Sequence, residues 1–459
     1  MIFGEIDLNE TIVAIATPPG PSALGIIRLS GPAALEIATR IFQPRHELKP
    51  WCLVQGHLID FDQGEAFDEA TAIYFPAPRS YTREDMVEFI CHGSPVILEE
   101  VVRLAIRAGA RLAHPGEFTL RAYLNGRIDL LQAEAVNDLI RATSLRQARF
   151  SFSQLSGRLS KKIGSLRQAL IEILSQIEAA IEFPDEGLQI NKEETGQKIK
   201  EVLAQVEKLI DSHDLGRAML RGLTVALVGR ANVGKSTLFN ALLEKDRAIV
   251  SPYPGTTRDY LEEKIRVGDF LFNLVDMAGL GQPGHPVEEE GIRRGRQLAS
   301  QAEGLLIILD NSEPLNEADL EIIALAREKK TIFVINKIDL PGRLERDRLN
   351  DFASGRQIID ISALHRLNLD RLKKAMTEVF PPSLNKNYEE IIFHWREKVS
   401  LEKIREALNE ALNLLEQGYS EEFVAEELRS AANVLGQLTG EIKSEEIINA
   451  IFSEFCIGK

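Results

Sequence analysis

Residues 229 to 237 read Gly-Arg-Ala-Asn-Val-Gly-Lys-Ser-Thr and directly follow the apolar run Leu223 to Val228. The run fits GxxxxGK[ST] in a strand, Gly-rich loop and helix setting, where successive backbone N–H groups wrap phosphate oxygens. A helix beginning near Lys235 adds the positive end of its dipole. In that setting Lys235 reaches the β and γ phosphates and the Ser236 hydroxyl ligates Mg2+, with Asn232, Val233, Gly234 and Thr237 completing the cradle. The loop alone does not name the nucleotide.

Asn336-Lys337-Ile338-Asp339 supplies that name, because it follows the strand-like run 331–336 at the end of the sheet where such folds bind ligands. The Asp339 carboxylate can accept hydrogen bonds from N1 and N2 of guanine. Adenine lacks the exocyclic N2 amine, and a site built around such a bond rejects it strongly. Ser362 and Ala363, after the last strand-like run, can bring a backbone N–H to guanine O6. Asp276-Met277-Ala278-Gly279 ends another strand, so that Asp276 holds a Mg2+ water and Gly279 turns its N–H to the γ-phosphate. Gly255-Thr256-Thr257-Arg258-Asp259 lies between, in the place of a switch whose Thr closes over Mg2+. These motifs in this order predict a GTPase domain. Ras-type enzymes place a water-orienting Gln directly after the DxxG motif, whereas this chain has Leu280. Glu288, Glu289 and Glu290 are the nearest candidates for that work, although the residues alone favour the plainer reading of acids at a helix N-terminus.

Strand-like runs alternate with helical ones from 223 to 379, which implies a mainly parallel sheet covered on both faces. Residues 1–120 mix β-rich runs (11–16, 25–29, 70–75, 86–90) with helical periodicity at 33–41 and 95–108, an α+β domain. From about Leu120 the pattern turns helical through Ile177, is broken by FPDEG at 183–187, and resumes from Glu193 to Asp211. After Pro381-Pro382 it is helical again, through Leu401, Leu412, Leu428, Leu438 and Ile451. The expected organisation is therefore multidomain α/β plus α: 1–120 N-terminal, 121–220 and 381–459 one discontinuous helical domain, and 221–380 an inserted Ras-like GTPase domain.

The chain has 459 residues, 44% hydrophobic and 27% charged, an ordinary globular composition. No apolar run reaches the roughly 18 residues of a membrane span. The acidic start MIFGEIDLNET is unlike a signal peptide, so a cytoplasmic protein is expected. Cys52, Cys91 and Cys456 form no CxxC pair and suit a reducing compartment. A net charge of −15 argues against holding nucleic acid by overall attraction. Yet residues 141–170 hold Arg141, Arg146, Arg149, Arg158, Lys161, Lys162 and Arg167 with no Asp or Glu, either a solvated helix face or a docking surface for RNA or an acidic partner.

The segments TIVAIATPPG, SYTREDMVEFICHGSPV, HPGEFTLRAYLNGRIDLLQAEAV, FPDE, GRANVGKSTLFNAL, GTTRD, DMAGL, VEEEGI, NKID and the final FCIGK resemble the MnmE (TrmE) family of tRNA-modifying GTPases, essentially along the whole chain. The resemblance implies an N-terminal domain that dimerises and binds a 5-formyl-tetrahydrofolate-type donor through Arg28, Glu88 and Arg127, with Lys459 nearby. It implies action with an MnmG-type, FAD-dependent partner at C5 of the wobble uridine of certain tRNAs. It assigns Glu288 the orienting of the hydrolytic water and Thr257 a place on Mg2+. It makes Asn232 a K+ ligand, the remainder coming from the loop Ser251, Pro252, Tyr253, Pro254, Gly255 and Thr256, largely through carbonyls. Both cations would stabilise charge developing on the phosphates. The chain departs from the family pattern at Ala231 (usually Pro), Met277 (usually Thr), Arg127 (often Lys) and in the K+ loop at Ser251, Tyr253 and Pro254. Cys456 reads either as a buried small residue or as a thiol near the folate, its thiolate favoured by Lys459.

A rival reading is a ribosome-assembly or translation switch, since GTTRD and the apolar residue after DxxG occur in such GTPases. The chain has no GxxG loop in a basic setting to serve as their RNA module. A membrane-coupled GTPase is disfavoured by the lack of spans.

Overall fold

The computed structural model describes residues 7–183, 190–246, 262–276, 302–327, 329–382, 390–442, 444–453, 455 and 458. By compactness the chain divides into one unit of Met1–Asn137, Ser153–Val202 and Glu406–Lys459, and a second of Asp138–Phe152 and Leu203–Arg405.

In the first unit, strands β1 (Ile12–Ile15), β2 (Ser22–Ser30), β3 (Phe42–Pro44), β4 (Leu53–Asp60), β5 (Glu65–Phe75), β6 (Met86–Gly93) and β7 (Arg111–Leu112) form one sheet in the order β3-β4-β5-β6-β2-β1-β7. All pairs are antiparallel except β1 with β7. Helices α1 (Ala34–Ile41) and α2 (Pro95–Arg107) pack on it. Their buried stripes, Ile37 and Ile41 on one and Leu98, Val101 and Leu104 on the other, meet Ile27, Leu29, Val87 and Phe89 in a shared core. Leu58 and Phe42 belong to the same core.

Helices α3 (Glu117–Leu124), α4 (Leu130–Ile140), α5 (Leu145–Leu155), α6 (Arg158–Glu182) and α7 (Lys192–Arg221) follow. The expected unbroken helical stretch is cut at Gly126 and Gly157, whose φ values of +67° and +83° a helix does not accept. In α6, Leu159, Ile163, Leu166, Leu170, Ile173 and Ile177 are buried at alternating four- and three-residue spacing, a heptad seam.

The facing seam comes from beyond the GTPase block. Beyond residue 390 run three helices, numbered in chain order α12 (Trp395–Gln417), α13 (Glu421–Thr439) and α14 (Glu445–Ser453). Val424, Leu428, Ala431, Leu435 and Leu438 of α13 repeat the same spacing, and α13 lies along α6. The pair is tied by Arg429 to Glu178 at 2.8 Å and Arg167 to Glu441 at 2.6 Å. Neither stripe is buried without the other, which makes the helical domain discontinuous in sequence.

The second unit holds a six-stranded sheet in the order β13-β12-β11-β8-β10-β9. Its strands are β8 (Leu223–Val228), β9 (Glu262–Val267), β10 (Phe270–Asp276), β11 (Gly304–Asp310), β12 (Lys330–Asn336) and β13 (Ile358–Asp360). All neighbours are parallel except the edge strand β9, antiparallel to β10. Alternate residues enter different cores: Val225, Leu227, Leu306, Ile308, Ile332 and Val334 one, and Ala226, Val228, Ile307, Leu309, Phe333 and Ile335 the other. Helices α8 (Lys235–Asp246) and α11 (Leu369–Val379) cover the first face, α9 (Glu317–Ala324) and α10 (Arg346–Ala353) the second. Burial on both faces is why these strands read as continuous apolar runs. Leu215, Ala218 and Met219 of α7, together with Ile391 and Phe393, belong to the first core, so this compact unit takes in residues on both sides of 221–380.

Candidate nucleotide site and N-terminal cluster

The Gly-rich loop joins β8 to α8, whose first residue is Lys235. Two close approaches require glycine. A Cβ on Gly229 would meet the Ile308 carbonyl at 2.5 Å, and one on Gly234, at φ +97°, would run into Asn336 Nδ2. Lys235 is buried, and its ammonium donates to the carbonyls of Gly229 and Arg230 at 2.8 and 2.7 Å. Burial lowers its pKa below the ordinary value, against the opposing charge of Asp276. Arg230 points away from the cradle: Nε donates to the buried Asp319 at 2.8 Å and Nη2 to Glu313 at 2.9 Å. Asp319 also closes the capping box of α9 with Asn316. Val233 packs into the core, Asn232 sits at the loop tip with φ +65°, and Thr237 is exposed.

Ser236 Oγ donates to Asp276 Oδ2 at 3.0 Å. Asp276 is buried, and its Oδ1 has no hydrogen-bond partner. A buried carboxylate oxygen without a donor needs an explanation, and a hydrated divalent cation beside a serine hydroxyl fits this donor set.

On the base side, Asn336 is buried and ties two loops together. Its Nδ2 donates to the Val233 carbonyl at 2.8 Å, and its Oδ1 accepts the Ala363 N–H at 2.9 Å. The Ala363 N–H considered for guanine O6 is thus engaged by Asn336. Lys337, at φ +62°, reaches Asp310 Oδ2 at 2.6 Å. Burial alone would raise the Asp310 carboxyl; hydrogen bonds from Lys337 and Ser312 outweigh it and hold it below its ordinary value. Asp339 is held low by a hydrogen bond from Ser362, the buried serine whose Oγ also accepts the His365 N–H at 3.2 Å.

In the first unit, Arg28 on β2 and Glu88 on β6 are register partners joined at 2.7 Å. The Arg28 guanidinium lies 5.5 Å from the ring centres of both Tyr81 and Phe118. The Arg127 guanidinium lies 4.7 Å from the centre of the same Tyr81 ring, and its Nη1 donates to the Tyr81 carbonyl at 3.0 Å. Arg28 Nη1 also donates to the Gly458 carbonyl at 3.4 Å. Arg28 and Arg127 therefore meet at Tyr81, a residue with no motif of its own in the sequence, and Glu88 and Gly458 join the cluster through Arg28. Beneath lies a buried charge network. Glu117 accepts from Arg111 at 2.8 Å, from the His114 N–H at 2.8 Å and from Arg121 at 3.0 Å. Arg121, fully buried, also reaches Glu84 at 3.1 Å and the Glu10 carbonyl at 2.8 Å.

Ser251, Pro252, Tyr253, Pro254, Gly255, Thr256 and Thr257, together with Met277, Ala278, Gly279, Leu280, Glu288, Cys456 and Lys459, lie outside the described residues. Arg230 with Asp319 and Lys337 with Asp310 were not singled out in sequence, since each pair depends on which strands become neighbours.

A mainly parallel sheet with a Gly-rich loop at the end of β8, and a buried Asn at the end of β12 holding that loop, defines a P-loop GTPase. Residues 130–456 match the model of the MnmE helical domain, and residues 11–127 that of the GTP-binding protein TrmE N-terminus. The chain is 39% identical over 457 residues to the tRNA modification GTPase MnmE of Thermoanaerobacter sp., covering 98% of this chain and 99% of that one. It is 41% identical over 454 residues to the protein of the same name from Aquifex aeolicus, covering 98% and 100%. Among solved structures it is similar to an Aquifex aeolicus Era variant bound to GDP and AlF4−, at 28% identity over 40% of this chain and 66% of that one, with a TM-score of 0.30. The chain belongs to the MnmE family of tRNA modification GTPases.

Proposed function

We propose that this GTP hydrolase of tRNA modification works as a K+-stimulated motor, driving alteration of C5 of the wobble uridine together with an MnmG-type, FAD-dependent partner and a folate one-carbon donor. The carrying observation is the junction of Lys235, Ser236 and Asp276 with the Asn336 bridge, in a chain that matches its relatives over 98% of its length.

The roles follow from the side chains. Lys235 would hold the β and γ phosphates, and Asp339 would read guanine N1 and N2. Ser236, Asp276 and Thr257 would hold Mg2+, and Asn232 with the carbonyls of 251–256 would hold K+. When bound, the two cations supply positive charge against the charge that grows on the phosphates as the bond breaks. Glu288 would orient the attacking water, a task Leu280 cannot perform. In the N-terminal domain, Arg28 and Arg127 would meet the carboxylates of a formyl-tetrahydrofolate-type donor, and Glu88 would accept from its ring N–H groups. That domain would pair with a second copy.

Nucleoside mass spectrometry of tRNA from cells lacking the protein tests the central reading. Loss of the wobble-uridine modification is expected, and its retention would remove the claim. GTP turnover should be several-fold faster in KCl than in NaCl at equal ionic strength; equal rates would sink the K+ role. Glu288→Ala should abolish turnover while GTP binding survives.

A further inference from the structure

Helix α5 packs Phe150 and Leu155 inward but also buries polar residues while exposing apolar ones. On most surface helices the apolar stripe faces the core. Here Gln147 and Ser151 are 1% and 0% exposed, and Gln147 Nε2 and Ser151 Oγ have no hydrogen-bond partner. Leu145 and Phe152 stand 67% and 61% exposed. With Arg149, also exposed, they fall at i, i+4 and i+7, one stripe on the outward side. Burying polar groups in order to present a phenyl ring to water is costly in the free chain.

Charge narrows the choice of occupant. The stripe lies in residues 141–170, which contain no acid in a chain whose net charge is −15. The basic face continues onto the GTPase sheet, where Arg266 of the edge strand β9 donates to the Thr143 carbonyl at 3.3 Å. Of the acids nearby in sequence, Asp269, in the turn after β9, lies 3.7 Å from Arg146, and β9 itself begins with Glu262 and Glu263. An aromatic ring next to a guanidinium, framed by further cations, is the combination that stacks unpaired bases and neutralises their phosphates.

We propose that the outward face of α5, centred on Leu145, Arg149 and Phe152, is a docking surface for single-stranded RNA, the chemistry of a tRNA anticodon loop. The proposal rests on the tRNA-modifying role proposed above and places the RNA beside β9, the strand that follows the switch segment in the chain. Phe152 stacks on a base, Arg149 meets phosphate or a base face, and Leu145 covers the sugar edge.

The test uses the full chain and fluorescence anisotropy with a labelled anticodon stem-loop RNA. Arg149→Glu and Phe152→Ala should each weaken binding about tenfold, one stacked base or one phosphate contact being lost. Phe152→Tyr, which keeps the ring, should bind as the parent does. GTP hydrolysis by the same preparations checks folding, since no residue of this face belongs to the nucleotide site. RNA affinity unchanged in Arg149→Glu and Phe152→Ala overturns the proposal. So does unchanged RNA affinity with altered self-association by sedimentation, which would make the face a protein contact. Phe152→Tyr losing affinity as fully as Phe152→Ala also overturns the stacking. Deletion cells keep the two readings apart: modification retained on deletion defeats the tRNA role itself, whereas modification lost on deletion with RNA binding intact in the variants defeats only this surface.

Discussion

Asn336 holds the carbonyl of Val233 at 2.8 Å with one side of its amide and the N–H of Ala363 at 2.9 Å with the other. One buried side chain therefore sets the spacing between the phosphate loop and the loop after β13. In Asn336→Ala, two buried backbone groups lose partners, at about 1–3 kcal/mol each. GTP affinity, followed with a fluorescent analogue, should fall at least about 30-fold. Affinity within twofold of the parent would mean the two loops keep their geometry unaided.

Asp276 Oδ1 is buried without a donor while Oδ2 takes the Ser236 hydroxyl. Asp276→Asn replaces an anionic oxygen with a group that binds a hard cation less well. The Mg2+ concentration for half-maximal GTP hydrolysis should rise by about tenfold or more, a shift read from a metal titration. An unaltered titration midpoint would leave Asp276 with only its structural bond to Ser236.

The Arg28 and Glu88 pair sits half-buried between Tyr81 and Phe118. Arg28→Ala should weaken calorimetric binding of formyl-tetrahydrofolate at least about tenfold, the loss of one charge-assisted contact. GTP hydrolysis by the same variant should be unchanged. A folate affinity equal to that of the parent would reduce the pair to a strand-to-strand ion pair.

Glu117 carries a pH prediction. Burial by itself would raise its carboxyl; hydrogen bonds from Arg111 and the His114 N–H, with the charges of Arg121 and Arg111, outweigh it and hold the group below its ordinary 4.5. A depressed folded pKa adds stability that is present above the unfolded value and is lost as pH falls through the folded one. Glu117→Gln should destabilise the N-terminal domain by about 3–5 kcal/mol near pH 7, because it leaves Arg121 buried with less of its counter-charge. Thermal melts of parent and variant should converge as pH drops below 4.5. A gap that stays constant down to pH 3 would contradict this origin of the stability.

Local pattern carried much of this architecture. The strand-loop-helix around Lys235 and the helical stretches on both sides of the GTPase block were legible, since each is written in contiguous periodicity. The strands β4 and β9 carry no clear strand pattern, because Leu53–Asp60 and Glu262–Val267 mix charged and polar residues, as strands with a wet side or edge do. Glu117 and Arg121 looked like the polar side of a helix, but both sides of that helix are buried, and the i, i+4 pair meets groups from remote strands. Lys337 meets Asp310 only because β12 lies beside β11 with Asn336 opposite Asp310. Strand order of that kind is decided by packing, which residue spacing does not record.

The core of the GTPase sheet borrows Leu215, Ala218 and Met219 from the end of α7 and Ile391 and Phe393 from the returning chain. A GTPase fragment excised at Arg221 and Pro381 would keep α8 and α11 but leave the part of that core now covered by the borrowed residues open to water, a wet apolar scar prone to self-association. Cutting instead near Leu203 and Arg405 removes the borrowed residues together with the sheet they protect, and the solubility of the two fragments should differ accordingly.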